Sequence, residues 1–177
     1  MILKKDKGLT LIETIIVVAL FTIIFAAIFK TLRIARVSWN SSGSQLKVQQ
    51  ETRRGLGTMI RELRQAQLST IAGVPADGAD YNSVTFKIPV SISETGAVWS
   101  GNIQYSLGGL DNEQLLRTQV GEDQRVLANN ISTLTFSRNA LTPEILNISI
   151  TAQKDTFPGE DTIQSDITLA SEVEIRN

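Results

Sequence analysis

The sequence predicts an α+β protein in which one long N-terminal helix packs on a C-terminal antiparallel β domain. Three observations predict it. Leu9–Phe29 is 21 residues long and apolar apart from Glu13 and three threonines. From Lys30 to Ser69 there is no proline, and Leu56, Met59/Ile60 and Leu63 recur at helical spacing, which marks one buried face. Beyond residue 70 the apolar period changes to two, the signature of strands with one face buried and one wet.

The apolar run comes first. As a helix at about 1.5 Å per residue, Leu9–Phe29 spans roughly 31 Å, the thickness of a hydrocarbon core. The hydroxyls of Thr10, Thr14 and Thr22 cost little there if each bonds a carbonyl of the preceding turn. A cleaved secretory signal fits the segment poorly, because the run exceeds an ordinary signal core. Ala26-Ala27, its only small-residue pair, is followed by Ile28 and Phe29. The helix is expected to continue as a stalk over 30–69, with "NSSGSQ" (40–45) as a weak point of low helix propensity. "IAGVPADGADYNS" ends the helical pattern through Gly73, Pro75 and Gly78.

Alternation then places strands in the 70–177 body. Val84, Phe86, Ile88 and Val90 form one set and Ile103, Tyr105 and Leu107 a second. "GGLDN" turns the chain before Leu116, Thr118 and Val120. Leu134 and Phe136 mark another strand, followed by Leu146, Ile148, Ile150 and Ala152. After a turn around "KDTFPGEDT", Ile163, Ile167, Leu169, Val173 and Ile175 mark a long final strand. The 55–68 stripe is the apolar surface available early in the chain to cover this sheet, which gives an α+β layering.

Charge is balanced overall but divided along the chain. Residues 30–69 hold eight Lys/Arg (Lys30, Arg33, Arg36, Lys47, Arg53, Arg54, Arg61, Arg64) and two acids, a net of +6, whereas 70–177 hold six bases and fourteen acids, a net of −8. A basic stalk beside an acidic body argues against nucleic acid as a partner, since the body repels phosphate. The chain has neither cysteine nor histidine. It therefore forms no disulfide and lacks the commonest general base and the commonest metal ligand. No phosphate-binding GxxxxGK[ST] loop is present. We expect no enzyme activity and no cofactor.

One acid in a greasy helix calls for a reason, since an ionised carboxylate in hydrocarbon costs at least about 2.5 kcal/mol. "KKDKG" precedes "LTLIE", so a short basic leader ends in Gly8, an apolar Leu9 follows, and Glu13 stands fifth after the glycine. This arrangement resembles the processing site of type IV pilin-like proteins, and the helix-then-β layout is similar to theirs. The resemblance implies a leader, residues 1–8, removed by a prepilin peptidase after Gly8, with N-methylation of Leu9. It implies a membrane and assembly helix over 9–29, and pairing of Glu13 with the N-terminal amine of a neighbouring subunit. A partner charge removes the cost of a buried one, so such an acid favours one stagger of packed helices. The resemblance also supplies the orientation, leader in the cytoplasm and body outside. Counting Lys4, Lys5 and Lys7 against Lys30, Arg33 and Arg36 leaves that orientation open.

Within that family the chain looks most like a J-type minor pseudopilin of type II secretion. Soft echoes are "RRGLGTMIRELRQAQ", "SVTFKI", "NIQYSLGGLDNEQLLRT" and "VLANNISTLTFS". A minor pilin of a type IV or competence pilus is the alternative, and a membrane-tethered enzyme or binding domain a second. The implied partners are other major and minor pseudopilins or pilins, the prepilin peptidase, the inner membrane and secreted cargo.

Weaker signals read as ordinary structure. Asp111, Asn112 and Glu113, and likewise Asp155, Glu160 and Asp161, are oxygen-rich turns without the spacing of a calcium loop. Trp39 suits a headgroup zone, and Trp99 suits packing over a sheet edge. The glycosylation triplets at Asn130 and Asn147 recur easily by chance.

Overall fold

In the computed structural model, residues 10–94, 96–155 and 164–176 are described. The architecture is α+β and pilin-like: a long N-terminal helix followed by antiparallel sheets. The chain divides into two units, Met1–Ser42 and Gly43–Asn177.

In the first unit, helix α1 (Leu11–Leu63) begins just after Thr10. Its apolar side chains through Phe29 are exposed, from Leu11 at 82% to Phe29 at 69%. Apolar surface on this scale is what a bilayer or a bundle of like helices covers.

In the second unit, α1 lays one face on the sheets. Val48, Thr52, Leu56, Met59 and Leu63 are buried on it, with Ala66 just beyond its end, a spacing of three and four residues that keeps them on one side. Complete burial of Met59 and Leu63 contributes about 1.5–3 kcal/mol each. Gly55 allows the close approach: a Cβ there would lie 2.9 Å from Leu115 Cδ2 and 3.5 Å from Ala128 Cβ. The "NSSGSQ" segment is helical throughout. The helix stops at Leu63, six residues before the expected Ser69. Past it, Gln67 is extended (φ −99°, ψ 143°) and bridges to Arg176. The Leu68 N–H then donates to the Arg176 carbonyl, so backbone pairing with the chain's last residues replaces the helical bonds.

The named strands are β1 (Ser83–Phe86), β2 (Pro89–Ser93), β3 (Gly96–Trp99), β4 (Ile103–Gly108), β5 (Gln114–Gln119), β6 (Arg125–Ala128), β7 (Ile131–Asn139), β8 (Thr142–Asp155) and β9 (Gln164–Glu174). They form sheets ordered β1-β4-β5-β6, β2-β3 and β7-β8-β9, and every pairing is antiparallel. Side chains from α1, the four-stranded sheet and the three-stranded sheet meet in one core cluster. It includes Phe86, Tyr105, Leu115, Phe136, Leu146, Ile148 and Ile150, and the Phe86 and Tyr105 rings stack at 5.8 Å.

Two expectations need correction. The Val84–Val90 alternation is not one strand. β1 ends at Phe86, and after Pro89, which has no N–H to give a ladder, the chain enters the separate β2–β3 hairpin. There Val90 and Ile92 are exposed. In β5 the core-facing set is Leu115 and Arg117, because these stand opposite the inward Leu107 and Tyr105. Leu116 packs on the other side, near Gly108, while Val120 is exposed. A buried arginine misled the apolar pattern. The final strand does carry Ile167, Leu169 and Val173 opposite Ala152, Ile150 and Leu146, whereas Ile163 and most of the "KDTFPGEDT" turn lie outside the described residues.

Candidate functional site: the N-terminal segment and the helix–sheet junction

The first turn of α1 is built by Thr10-Leu11-Ile12-Glu13, the spacing of a capping box. The Glu13 N–H donates to Thr10 Oγ1 at 3.4 Å and to the Thr10 carbonyl at 3.1 Å. Thr10 thereby occupies an amide that would otherwise go unpaired at the helix start. Glu13 sits in that first turn and its side chain is exposed. An anion is favoured at this end, where the helix dipole is positive.

Thr14 and Thr22 bond carbonyls of the preceding turn as expected, whereas the Thr10 hydroxyl oxygen accepts from the Glu13 N–H instead. Thr14 Oγ1 donates to the Thr10 carbonyl at 3.3 Å and Thr22 Oγ1 to the Val18 carbonyl at 2.8 Å. Thr31 does the same to Ala27 at 3.0 Å. Each hydroxyl is satisfied within its own helix, so the run presents apolar surface, with Phe21 and Phe25 stacked at 6.2 Å. The apolar helix fits a single-pass membrane anchor. Gly8 and Leu9 lie outside the described residues.

Residues 3–29 match the family model of the prokaryotic N-terminal methylation motif. This N-terminus is of the type IV pilin kind. The matched span takes in Gly8, Leu9 and Glu13. The pilin-like motif implies processing by a prepilin peptidase and assembly with other pilins, and its family is structural rather than enzymatic. No curated protein and no solved structure matches the chain.

The pilin-like chain has a second constellation that sequence reasoning missed. Glu62, in the last turn of α1, accepts from Arg117 Nε on β5 at 3.1 and 3.0 Å, and from the Tyr105 hydroxyl on β4 at 2.7 Å. Arg117 also donates to Gln119 Oε1 at 2.6 Å and lies 3.4 Å from Glu122 Oε2. Burial works against the Arg117 charge, but the Glu62 carboxylate outweighs it and raises its pKa. Tyr105 is pushed far up by burial first and by Glu62 second, so its phenol stays protonated and keeps donating. The only cue in the sequence is Arg117 interrupting the apolar residues of β5. Its partner lies 55 positions away, beyond any local pattern.

The remaining candidates are structural. Asp111 and Asn112 adopt left-handed backbone (φ 54° and 60°) in a one-turn helix, a conformation these residue types tolerate. Glu160, Asp161 and the Asp155 side chain lie outside the described residues. Asn130 is a left-handed turn residue (φ 59°), and Asn147 stands inside β8 opposite Ser137 and Glu172. Trp39 is exposed on α1, and Trp99 ends β3, partly buried.

Proposed function

We propose that this chain is a minor pseudopilin of a type II secretion system, of the J type. It sits at or near the pseudopilus tip, where it primes filament assembly with other pseudopilins and supports protein export. One observation carries the pilin-like part of the reading: a methylation motif opens an exposed apolar run whose one acid, Glu13, stands in the first turn of α1. In the proposed order of events, a prepilin peptidase cuts after Gly8 on the cytoplasmic face. Glycine suits that cut because a residue without a Cβ leaves the backbone open to a protease. The cut exposes the amine of Leu9, which is methylated. That amine, on a neighbouring subunit, neutralises Glu13 as helices bundle, and the pairing rewards one stagger. The leader, residues 1–8, stays in the cytoplasm, residues 9–29 span the inner membrane, and 30–69 lead to the extracytoplasmic body over 70–177. Filament growth is driven by a separate ATPase.

Mass spectrometry of the chain extracted from membranes tests this. The expected product begins at a methylated Leu9. An intact Met1, or a cut after Ala26-Ala27, removes the proposal. Glu13→Val should leave cleavage intact and abolish incorporation into filaments. Undiminished incorporation would refute the pairing. The motif serves minor pilins of type IV or competence pili equally well, and neighbouring genes for a secretion or a pilus apparatus separate the two.

A further inference from the structure

Nothing local ends α1 at Leu63. From Thr58 to Ala72 the chain holds neither glycine nor proline, the two residues that commonly close a helix. None of these described residues has left-handed backbone, so the usual cap is missing as well. The apolar pattern also runs on. Ala66 follows Leu63 by three residues and Leu68 follows Ile60 by eight, positions that a continuing helix keeps on the same faces. Ala66 is buried, and Ile60 and Leu68 both pack against the core.

The interruption is short and is imposed from elsewhere in the chain. The Arg64 N–H keeps the helical bond to the Ile60 carbonyl at 3.0 Å, and the next two amides tighten onto the Glu62 and Leu63 carbonyls at 3.0 and 3.1 Å. Leu68–Thr70 is again a helical turn. Between them Gln67 is extended and pairs with Arg176, whose carbonyl accepts from the Leu68 N–H at 2.9 Å. In a continuous α-helix that N–H would go to the Arg64 carbonyl. Arg176 is positioned by its neighbour, because Ile175 is buried and its N–H donates to the Glu144 carbonyl at 2.8 Å. An open cavity of about 830 Å³ borders Arg64, Ile175 and Arg176, which leaves Arg176 room to withdraw.

We propose that the segment after β9 is a latch that sets the length of α1. With Arg176 engaged, residues 64–67 break the helix. With Arg176 withdrawn, Gln67 turns helical, the Leu68 N–H passes to the Arg64 carbonyl, and α1 runs on through the Leu68–Thr70 turn. The added residues, 64–70, lengthen it by roughly 10 Å. Their propensities favour this, since Arg, Gln, Ala and Leu are good helix formers and only Ser69 and Thr70 are middling. The Ala72 pairing with Thr85 marks the far limit of the extension. The two states exchange one backbone bond of Leu68 for another, so its amide is stranded in neither. The residues that close the β domain thereby control where the stalk helix ends.

NMR of the full chain in detergent micelles reads the switch through the Cα shift of residue 67, which lies upfield of the random-coil value in extended backbone and downfield of it in a helix. The intact chain should show the upfield position. Ending the chain after Ile175 removes Arg176 but keeps the buried Ile175 and its bond to Glu144, and Gln67 should then move downfield. A full-length variant, Ser69→Ala with Thr70→Ala, raises helix propensity and removes the Thr70 hydroxyl's bond to the Gln67 carbonyl at 2.8 Å. It should move Gln67 the same way, and it decides the question if the shortened chain fails to fold. Adding Gln67→Cys and Arg176→Cys to that variant joins the bridged pair in a chain with no other cysteine. Oxidation should return residue 67 upfield, and reduction should release it again. A Gln67 signal that stays upfield in both the shortened and the alanine variants would overturn the proposal. So would random-coil shifts over residues 64–70, which would make the freed segment a frayed end and not an extension of α1.

Discussion

Removing Glu62 should cost more than removing its partner Arg117. In Glu62→Leu, the Arg117 guanidinium, whose side chain is 9% exposed, loses the carboxylate it faces at 3.0 Å, and the Tyr105 hydroxyl loses its acceptor. Breaking a buried pair from one side typically costs about 3–5 kcal/mol. Gln119 at 2.6 Å and Glu122 at 3.4 Å still hold the guanidinium, which places the expected loss near the low end, about 3 kcal/mol. Arg117→Met leaves Glu62 more exposed and still hydrogen-bonded to Tyr105, so about 1.5 kcal/mol is expected. The double variant strands no charge and orphans only Tyr105, again about 1.5 kcal/mol. The cycle therefore predicts a coupling of about 3 kcal/mol, at the upper end for residues in contact. Urea unfolding of the full chain in detergent micelles, followed by circular dichroism, measures it. Additive singles, or a Glu62→Leu cost below about 1 kcal/mol, would mean that the junction is a surface ion pair of the weak kind.

The remaining predictions concern titration, packing and the helix start. Tyr105 has a raised folded-state pKa, so its contribution is complete below the ordinary phenol value near 10 and fades as pH rises above it, by about 1.4 kcal/mol per pH unit. Tyr105→Phe should flatten urea stability above pH 10, whereas Tyr81→Phe, at the exposed tyrosine bonded to Asp77, should change that slope far less. Gly55→Leu should destabilise the body by about 1–3 kcal/mol through overpacking on Leu115, while Gly57→Ala should stabilise it by up to about 1 kcal/mol; thermal melts separate the two. Thr10→Val should fray the first turn by about 0.5–2 kcal/mol and Thr10→Ser should not, read by amide exchange at residues 11–14 in micelles.

The amphipathic stripe and the alternating strands were legible because each depends on neighbours within a few residues. Leu56, Met59 and Leu63 announce their face, and Leu146, Ile148 and Ile150 announce theirs. Val48 and Thr52 extend the stripe, but isolated among polar residues they give no pattern. The hairpin at Pro89 was lost because alternation survives the proline, although the ladder does not. Arg117 was lost because a charged residue reads as outward unless its counter-ion is known, and Glu62 is remote in sequence. The Gly8, Leu9 and Glu13 candidates rest on a short linear stretch, inside the residues 3–29 that match the N-terminal methylation motif. A motif of adjacent residues can be recognised in the sequence without any fold to assemble it.

The contrast between the body and the N-terminal segment is itself informative. Among the described residues, no buried side-chain nitrogen or oxygen lacks a hydrogen-bond partner. Where the body buries a charge, at Arg117, it supplies the carboxylate and a second acceptor from its own chain. The N-terminal segment follows another rule. Its hydroxyls are satisfied locally, yet its apolar side chains and Glu13 are exposed. A bilayer would cover the apolar surface, but it would penalise the acid. An aqueous surface would accept the acid, but not so large an apolar area. An environment that is apolar along the helix and cationic beside its first turn would meet both demands, which is what the proposed pairing of Glu13 with a neighbouring subunit's amine supplies.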